Sequence, residues 1–492
     1  MSRQTRRTFL KRAAAGAGVA AGFVIAGTKA SGKVLGANDT VRLGVSGIHG
    51  RGSSHINEFA AMEGVDVTYL IDPDSTLFEG RSAQVKQKGG NTPKCVQDIR
   101  EALEDKDLDA VSVATCNHWH SLTTFWACKA GKDVYVEKPC SHNIFEGRQC
   151  VKAAEKHGRI VQHGTQSRSS SSWAKSVAAV ASGKYGKLLV SKAYASKVRW
   201  SIGFKDVKDP PSTLDYNLWL GPAPMQPYHE NLVHYNWHWF WDAGNGEIGN
   251  QGVHQMDIAR WGIPNGTLPK CVFSMGGRWV DSTEGHPPFT DQGQSPNCQL
   301  TVMDFGGPLL VFEVVGLNNR EGVDGKKYPT KVDNEFYCEE GVIRGGKFYP
   351  NGSDQGEDLG DVEYHVEPGS IFQNFIDCVR SRDASKLQAP IQEAHLSAAC
   401  CHLGNISYRL GKQVPGATRP DVFDQHDEIP KSWETIQTTV KGTLGLELDE
   451  STYQLGATLD FDPETEKFVG NAEANKLVTR EYRDPFVVTE EV

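Results

Sequence analysis

Apolar runs and helical spacings alternate over the first third of the chain. Residues 41–46 (VRLGVS) are rich in β-branched and aliphatic side chains, and the next apolar positions, Ile56, Phe59, Ala60 and Met62, fall on one face of a helix starting near Ser53. Short apolar runs recur at 65–71, 110–114, 134–136 and 160–163, with helical patterns at 117–130 and 144–157. Strands alternating with helices predict a doubly wound parallel sheet, a Rossmann-type α/β domain over 37–166. After Gln166 the alternation stops. Runs at 188–196, 271–275, 299–305, 309–315 and 335–337, separated by polar and glycine-rich turns, predict a second, α+β domain over 167–415. Its sheet should be large, open and mostly antiparallel, with helices near 372–379 and 394–410 returning to the core. Residues 416–492 read as an acidic, loop-like extension, a surface wrap or a subunit contact.

Composition narrows the class. A chain of 492 residues has ample core for several domains, and a net charge of −9 argues against nucleic acid as a main partner. The 11 cysteines include no C-x-x-C pair, so they read as core residues, and no metal is expected. Thr5-Arg6-Arg7-Thr8-Phe9-Leu10-Lys11, followed by an Ala/Gly-rich run over 13–26, resembles a twin-arginine export signal. The run is shorter than the roughly 20 residues of a membrane span. Residues 1–36 are therefore expected to address a folded protein, through the twin-arginine machinery, to the periplasm or cell envelope.

The chemistry gathers at strand ends. Gly47-Ile48-His49-Gly50-Arg51-Gly52 follows the first strand and opens a helix, the context in which a G-x-G-x-x-G turn cradles a dinucleotide pyrophosphate. His49 stands where the middle glycine belongs, with Gly50 beside it. Asp72 ends the second strand about 20 residues on, where an acid holds the adenosine ribose hydroxyls and repels a 2′-phosphate. NAD is thus favoured over NADP. Val134-Tyr135-Val136 runs into Glu137-Lys138-Pro139, and a partly desolvated lysine at a strand end is a plausible acid/base group. His118 and His120 read as polar packing or cofactor contacts.

Aromatic residues cluster in the second domain at Trp200, Tyr216, Trp219, and from His234 through Trp237 and His238 to Trp241. Aromatic faces stack on sugar rings, so these residues, with His254, are the candidate carbohydrate contacts. In the segment 250–257, Asn250, His254 and Asp257 would share one face of a helix.

The fingerprint turn, Asp72, Asn117-His118-Trp119-His120, Glu137-Lys138-Pro139 and Gly164-Thr165-Gln166 together resemble the Gfo/Idh/MocA family (glucose–fructose oxidoreductase/inositol dehydrogenase) over about residues 40–415. The resemblance implies cofactor contacts from Gly47, Ile48, His49, Gly50, Arg51, Asp72, Thr115, Asn117, His120, Glu137, Lys138 and Gln166. It makes Lys138 the catalytic lysine and His254 the catalytic histidine, with Asn250 and Asp257 beside them. Asn250 departs from the family, which keeps an aspartate there. It also implies a homo-oligomer, dimer or tetramer, built on the open sheet. The expected activity is NAD-dependent oxidation of a secondary hydroxyl of a sugar, glycoside or cyclitol. Two alternatives stay open: an NAD-dependent glycoside hydrolase or lyase that recycles its cofactor, and a non-catalytic sugar-binding relative.

Overall fold

The computed structural model of the protein describes residues 40–492, so the expected export signal lies outside the described residues. Six strands form the first sheet: β1 (Val41–Ser46), β2 (Val65–Ile71), β3 (Lys94–Val96), β4 (Ala110–Val113), β5 (Asp133–Val136) and β6 (Val161–His163). All neighbours pair in parallel in the order β3-β2-β1-β4-β5-β6. The strand order reverses between β1 and β4, and the crevice at the carboxyl ends there is where such sheets bind ligands. The edge strand β3 was not expected; it is too short for periodicity to show. The helix Gly50–Ala60 starts earlier than its apolar spacing suggests, because its first turn, Gly50 and Arg51, is exposed and carries no core face.

The second sheet has twelve strands. They are β7 (Leu188–Ser196), β8 (Cys271–Gly277), β9 (Cys298–Asp304), β10 (Leu309–Val315), β11 (Lys331–Cys338), β12 (Gly341–Arg344), β13 (Lys347–Pro350), β14 (Glu357–Asp358), β15 (Lys412–Pro415), β16 (Thr452–Leu455), β17 (Leu459–Asp462) and β18 (Lys467–Phe468). Pairing is antiparallel except for β7 with β10. Side chains alternate between two cores, as the pleat requires. Leu310 and Phe312 join the cluster under the helices Gly252–Trp261 and Ile391–Arg409. Val311, Leu300 and Phe273 point the other way, onto Ile429, Trp433, Ile436 and Val440 of the helix Glu428–Leu444.

That helix corrects the reading of the tail as loop-like. Residues beyond 415 supply a helix that covers one face of the sheet, and β16 and β17 pair with β8. Phe486 and Val488 are buried in the first domain against Trp119 and Trp126. Glu464, Glu490 and Glu491, among the acidic residues that suggested a loop, are exposed. The sheet face that the family resemblance offered to a second subunit is in large part covered by the chain's own helix.

The helix Ile391–Arg409 joins the two cores. Ile391, Ala394 and Ala398 face the first domain's cluster while Leu396, Cys400 and Leu403 face the second's. Trp433 is 4 % exposed and packs on Tyr453 at 4.9 Å between ring centroids. Trp433→Ala should therefore cost about 3–5 kcal/mol, the usual range for a buried tryptophan, and lower the denaturation midpoint in urea. An unchanged midpoint would show that the tail is not part of the cooperative fold.

Candidate active site

Steric demands fix the fingerprint turn. Gly47 has φ +78°, and a Cβ there would lie 2.5 Å from the Thr115 nitrogen. A Cβ on Gly52 would lie 1.8 Å from the Gly47 carbonyl oxygen. These two glycines are required by close approach of the backbone to itself. Gly50 has nothing within 4 Å of its would-be Cβ, so its space is open toward the cavity. His49 precedes the helix without making a side-chain cap, which leaves first-turn N–H groups free for an anion. The His49 ring stacks on His234 of the second domain at 4.7 Å, and His234 is 3.0 Å from the Asp74 carboxylate.

Asp72 lies at the end of β2, nearly buried, and accepts from the main-chain N–H groups of Ile48 and Asp74, each at 2.9 Å. Burial pushes its carboxyl up to about 6, against the lowering effect of those two hydrogen bonds. Ile48 itself is fully buried under the turn and reaches the site only through its N–H.

At the end of β5, Glu137 is buried and accepts from Arg51 Nε at 2.7 Å and His55 Nε2 at 3.1 Å. Burial opposes its charge, yet the His55 hydrogen bond and the Arg51 and Lys138 charges hold it well below the usual carboxylate range. The other Glu137 oxygen accepts from the Lys138 main-chain N–H at 3.2 Å. Lys138 Nζ reaches across to the second domain, 3.3 Å from both the main-chain oxygen and Oδ1 of Asn250. Burial lowers its pKa, while Glu137 and Glu247 partly restore it.

One cavity of about 320 Å³ joins these groups. On the first domain's side it is lined by Gly47, His49, Gly50, Arg51, Asp72, Thr115, Asn117, His120, Glu137 and Lys138, ten of the twelve expected cofactor residues. Trp219, Trp237, His238 and Asn250 line it from the second domain, with His234 and Tyr235. His238 stacks on Trp237 at 3.6 Å and donates from Nδ1 to the Tyr235 carbonyl at 2.6 Å. Burial pushes the His238 imidazole down to about 3, so its other nitrogen is an acceptor. His120 has its Nδ1 2.6 Å from the Pro139 carbonyl and its Nε2 3.0 Å from the Thr115 carbonyl, and as a neutral imidazole it donates to one of them.

Several expected residues lie elsewhere. Asp257 does not line the cavity: Arg168 binds it through two hydrogen bonds of 2.9 Å and Ser397 through one of 2.7 Å, a buried structural pair. The helix begins at Gly252, so Asn250 precedes it in a turn and does not share a helical face with His254 and Asp257. His254 is half-buried behind Lys138, where burial and the lysine charge push it down to about 3. Trp200 belongs to the core beneath the helix Glu428–Leu444, with Arg320 over its ring at 4.0 Å. Tyr216 backs Trp219 by stacking at 5.8 Å and does not reach the cavity. Gln166 starts the short turn Gln166–Ser169 after β6 and does not line the cavity. Sequence alone missed His55, Glu247 and Arg199. Their partners are distant along the chain, and no local pattern marks them.

The cavity fits NAD. The open space at Gly50 and the uncapped helix suit a pyrophosphate, and the Asp72 carboxylate suits ribose hydroxyls. Among the described residues no cluster of three or more His, Cys, Asp or Glu side chains could hold a metal ion. Comparison with known proteins agrees with the geometry. Residues 41–165 match the NAD-binding Rossmann fold of the GFO_IDH_MocA oxidoreductase family, and residues 175–266 match its C-terminal alpha/beta domain. A glycosyl hydrolase family 109 protein of Shewanella pealeana is 28% identical over 191 residues, 37% of this chain and 41% of the relative. The chain spans less than half the length of such curated relatives. The WlbA dehydrogenase of Bordetella pertussis, solved with NADH and UDP-GlcNAcA, superposes with a TM-score of 0.52 at 14% identity, over 75% of this chain and 97% of that one. Levoglucosan dehydrogenase, solved with NADH, gives 0.52 at 17%, over 74% and 97%. At these identities the likeness is one of fold. Residues 41–165 and 175–266 are thus similar to the NAD-binding domain and the C-terminal domain of the Gfo/Idh/MocA oxidoreductase family.

Proposed function

We propose that the protein is an NAD-dependent oxidoreductase that oxidises a secondary hydroxyl of a sugar, glycoside or cyclitol. The observation that carries this reading is Lys138. It is a lysine of lowered pKa in the cavity wall, flanked by an ionised Glu137 on the cofactor side and by Asn250 on the other. Bound NAD supplies the hydride acceptor, and its redox chemistry belongs to the nicotinamide. Lys138 takes the hydroxyl proton, a role that the lowering of its pKa by burial favours. Asn250 orients the lysine, Trp219 and Trp237 offer faces to the sugar ring, and His238 accepts from a second hydroxyl. His254 stays neutral and brings no charge toward Lys138. The sugar dehydrogenases of the same fold support the substrate class.

A second reading is favoured by the sequence likeness to glycosyl hydrolase family 109 proteins. In it, transient oxidation acidifies a neighbouring C–H, the aglycone leaves, and the cofactor returns to its starting state. Both readings use the same cavity. Export by the twin-arginine route to the periplasm remains our proposal from residues 5–26, as does assembly into a homo-oligomer.

One assay separates the readings: purified protein is incubated with NAD and a panel of glycosides while reduced nicotinamide and released aglycone are both followed. Accumulating reduced nicotinamide supports the oxidoreductase, and aglycone without net reduction supports the hydrolase. Sugar binding with neither product would reject both.

Lys138→Ala should lower turnover roughly 10²–10⁴-fold, the range for one general acid/base, with NAD binding retained. Near wild-type turnover at saturating NAD would remove Lys138 from the chemistry.

Asp72 makes two pH dependences of opposite sign. Its carboxyl is raised from 3.8 to about 6, so its protonation stabilises the unliganded fold, a contribution present below pH 4 and lost as pH rises through 6. Ribose hydroxyls need the ionised form, so NAD affinity should instead fall as pH drops through about 6. Calorimetric titration should show this fall, and Asp72→Ser should weaken binding about tenfold or more at pH 7.5 and flatten the pH dependence. Unchanged affinity in the variant would make Asp72 a turn residue only.

A further inference from the structure

Behind the Lys138–Asn250 contact lies a buried ion pair with no direct access to the cavity. Glu247 has a fully buried side chain, and its two oxygens accept from Arg199 Nε at 2.6 Å and Nη2 at 2.9 Å. Glu247 Oε2 also accepts from Asn250 Nδ2 at 3.2 Å. The main chain closes the unit, since the Glu247 carbonyl accepts from the N–H groups of Asn250 at 3.0 Å and Gly252 at 2.9 Å.

An asparagine amide has two chemically opposite ends, and a lysine ammonium is compatible with only one of them. Glu247 takes the NH₂ end. The oxygen end must then face Lys138, where it joins the Asn250 main-chain oxygen as a second acceptor. Resting on the assignment of Lys138 above, we propose that Glu247 is a positioning residue for Lys138, acting through the Asn250 amide. The arrangement also accounts for the amide at 250. An aspartate there would set a second carboxylate 3.2 Å from Glu247 with no proton between them. In this chain the negative charge stands one hydrogen bond further from the lysine, on Glu247, already matched by Arg199.

The charged groups that face Lys138 are few. Glu137 lies beside it, Arg51 comes from the fingerprint helix, and Glu247 and Lys197 come from the second domain. The surrounding imidazoles, His120, His238 and His254, are each lowered by burial and stay neutral. Glu247 is thus the carboxylate that raises the lysine from the second domain's side, and removing its charge should lower the pKa of Lys138.

The test reads the lysine directly, without turnover. The full chain is pulse-acylated with acetic anhydride across a pH series, and acetylation of the Lys138 peptide is followed by mass spectrometry. Glu247→Gln should move the midpoint down by about one pH unit, as expected for loss of a nearby opposite charge. The double variant Glu247→Gln/Asn250→Asp puts the carboxylate against the lysine and should bring the midpoint back to wild type or above. In parallel, kcat of Glu247→Gln should fall roughly 10–100-fold with KM for NAD unchanged, as for a misplaced catalytic group. A wild-type midpoint in folded Glu247→Gln overturns the proposal. If that variant does not fold because Arg199 is left unpaired, Asn250→Ala keeps the Glu247–Arg199 pair and should also shift the midpoint down. No shift there overturns the proposal equally. A midpoint that responds to Glu247→Gln while Lys138→Ala retains turnover supports the positioning and rejects only the acid/base role of Lys138.

Discussion

A carboxylate removed from water must be matched by charge and hydrogen bonds, and Glu137 is matched by three donors from two segments. Arg51 and His55 come from the helix behind the fingerprint turn, and the Lys138 main chain supplies the third donor. Gly164 leaves the room: a Cβ there would meet the carboxylate at 2.8 Å. The turn that suits the pyrophosphate and the strand that presents the lysine are thereby held by one ion cluster. Losing one partner of such a cluster strands a buried charge, at about 3–5 kcal/mol. His55 adds little charge, since burial lowers it, but Ser112 at its Nδ1 fixes the ring so that Nε2 donates to Glu137.

The second domain supplies what this cluster lacks. It brings Asn250, backed by Glu247 and Arg199, to the far side of the lysine, and it lays His234, Trp237, His238 and Trp219 over the cavity. The tail reinforces the same wall. Phe486 packs on Trp119, whose indole donates to the carbonyls of Leu218 and Trp219. Arg483 donates to the Asn217 carbonyl at 2.8 Å. A segment far from the lysine in sequence thus sets the shape of the substrate side.

Those elements whose signal is local could be read in the sequence. β4 and β5 are buried throughout, and β1 and β2 are buried except at Arg42, Asp66 and Thr68, so each shows as an apolar run, and Gly47 and Gly52 are dictated by clashes within a few residues or with the next strand. The strands β7 and β10 showed as apolar runs because they are central in their sheet. β3 and the β12–β13 hairpin are short and partly exposed, and carried no such run. Helical periodicity misplaced Asn250, because a turn stabilised by the Glu247 carbonyl precedes the helix. Helical spacing placed Asp257 beside the catalytic residues, because Arg168 and Ser397, the partners that hold it away from the cavity, lie 89 and 140 residues away. Aromatic density could not separate Trp219, which lines the cavity, from Trp200, which lies under a helix of the tail.

The central claim is that one cavity between the two domains holds NAD with its reactive end beside Lys138. A crystal structure of the NAD complex tests it most directly. The account predicts nucleotide density with the pyrophosphate over Gly50 at the start of the fingerprint helix, a ribose on Asp72, and the nicotinamide between Glu137 and Asn250 within reach of Lys138. Density with the nicotinamide turned away from Lys138, or a nucleotide bound outside the cavity, would contradict it.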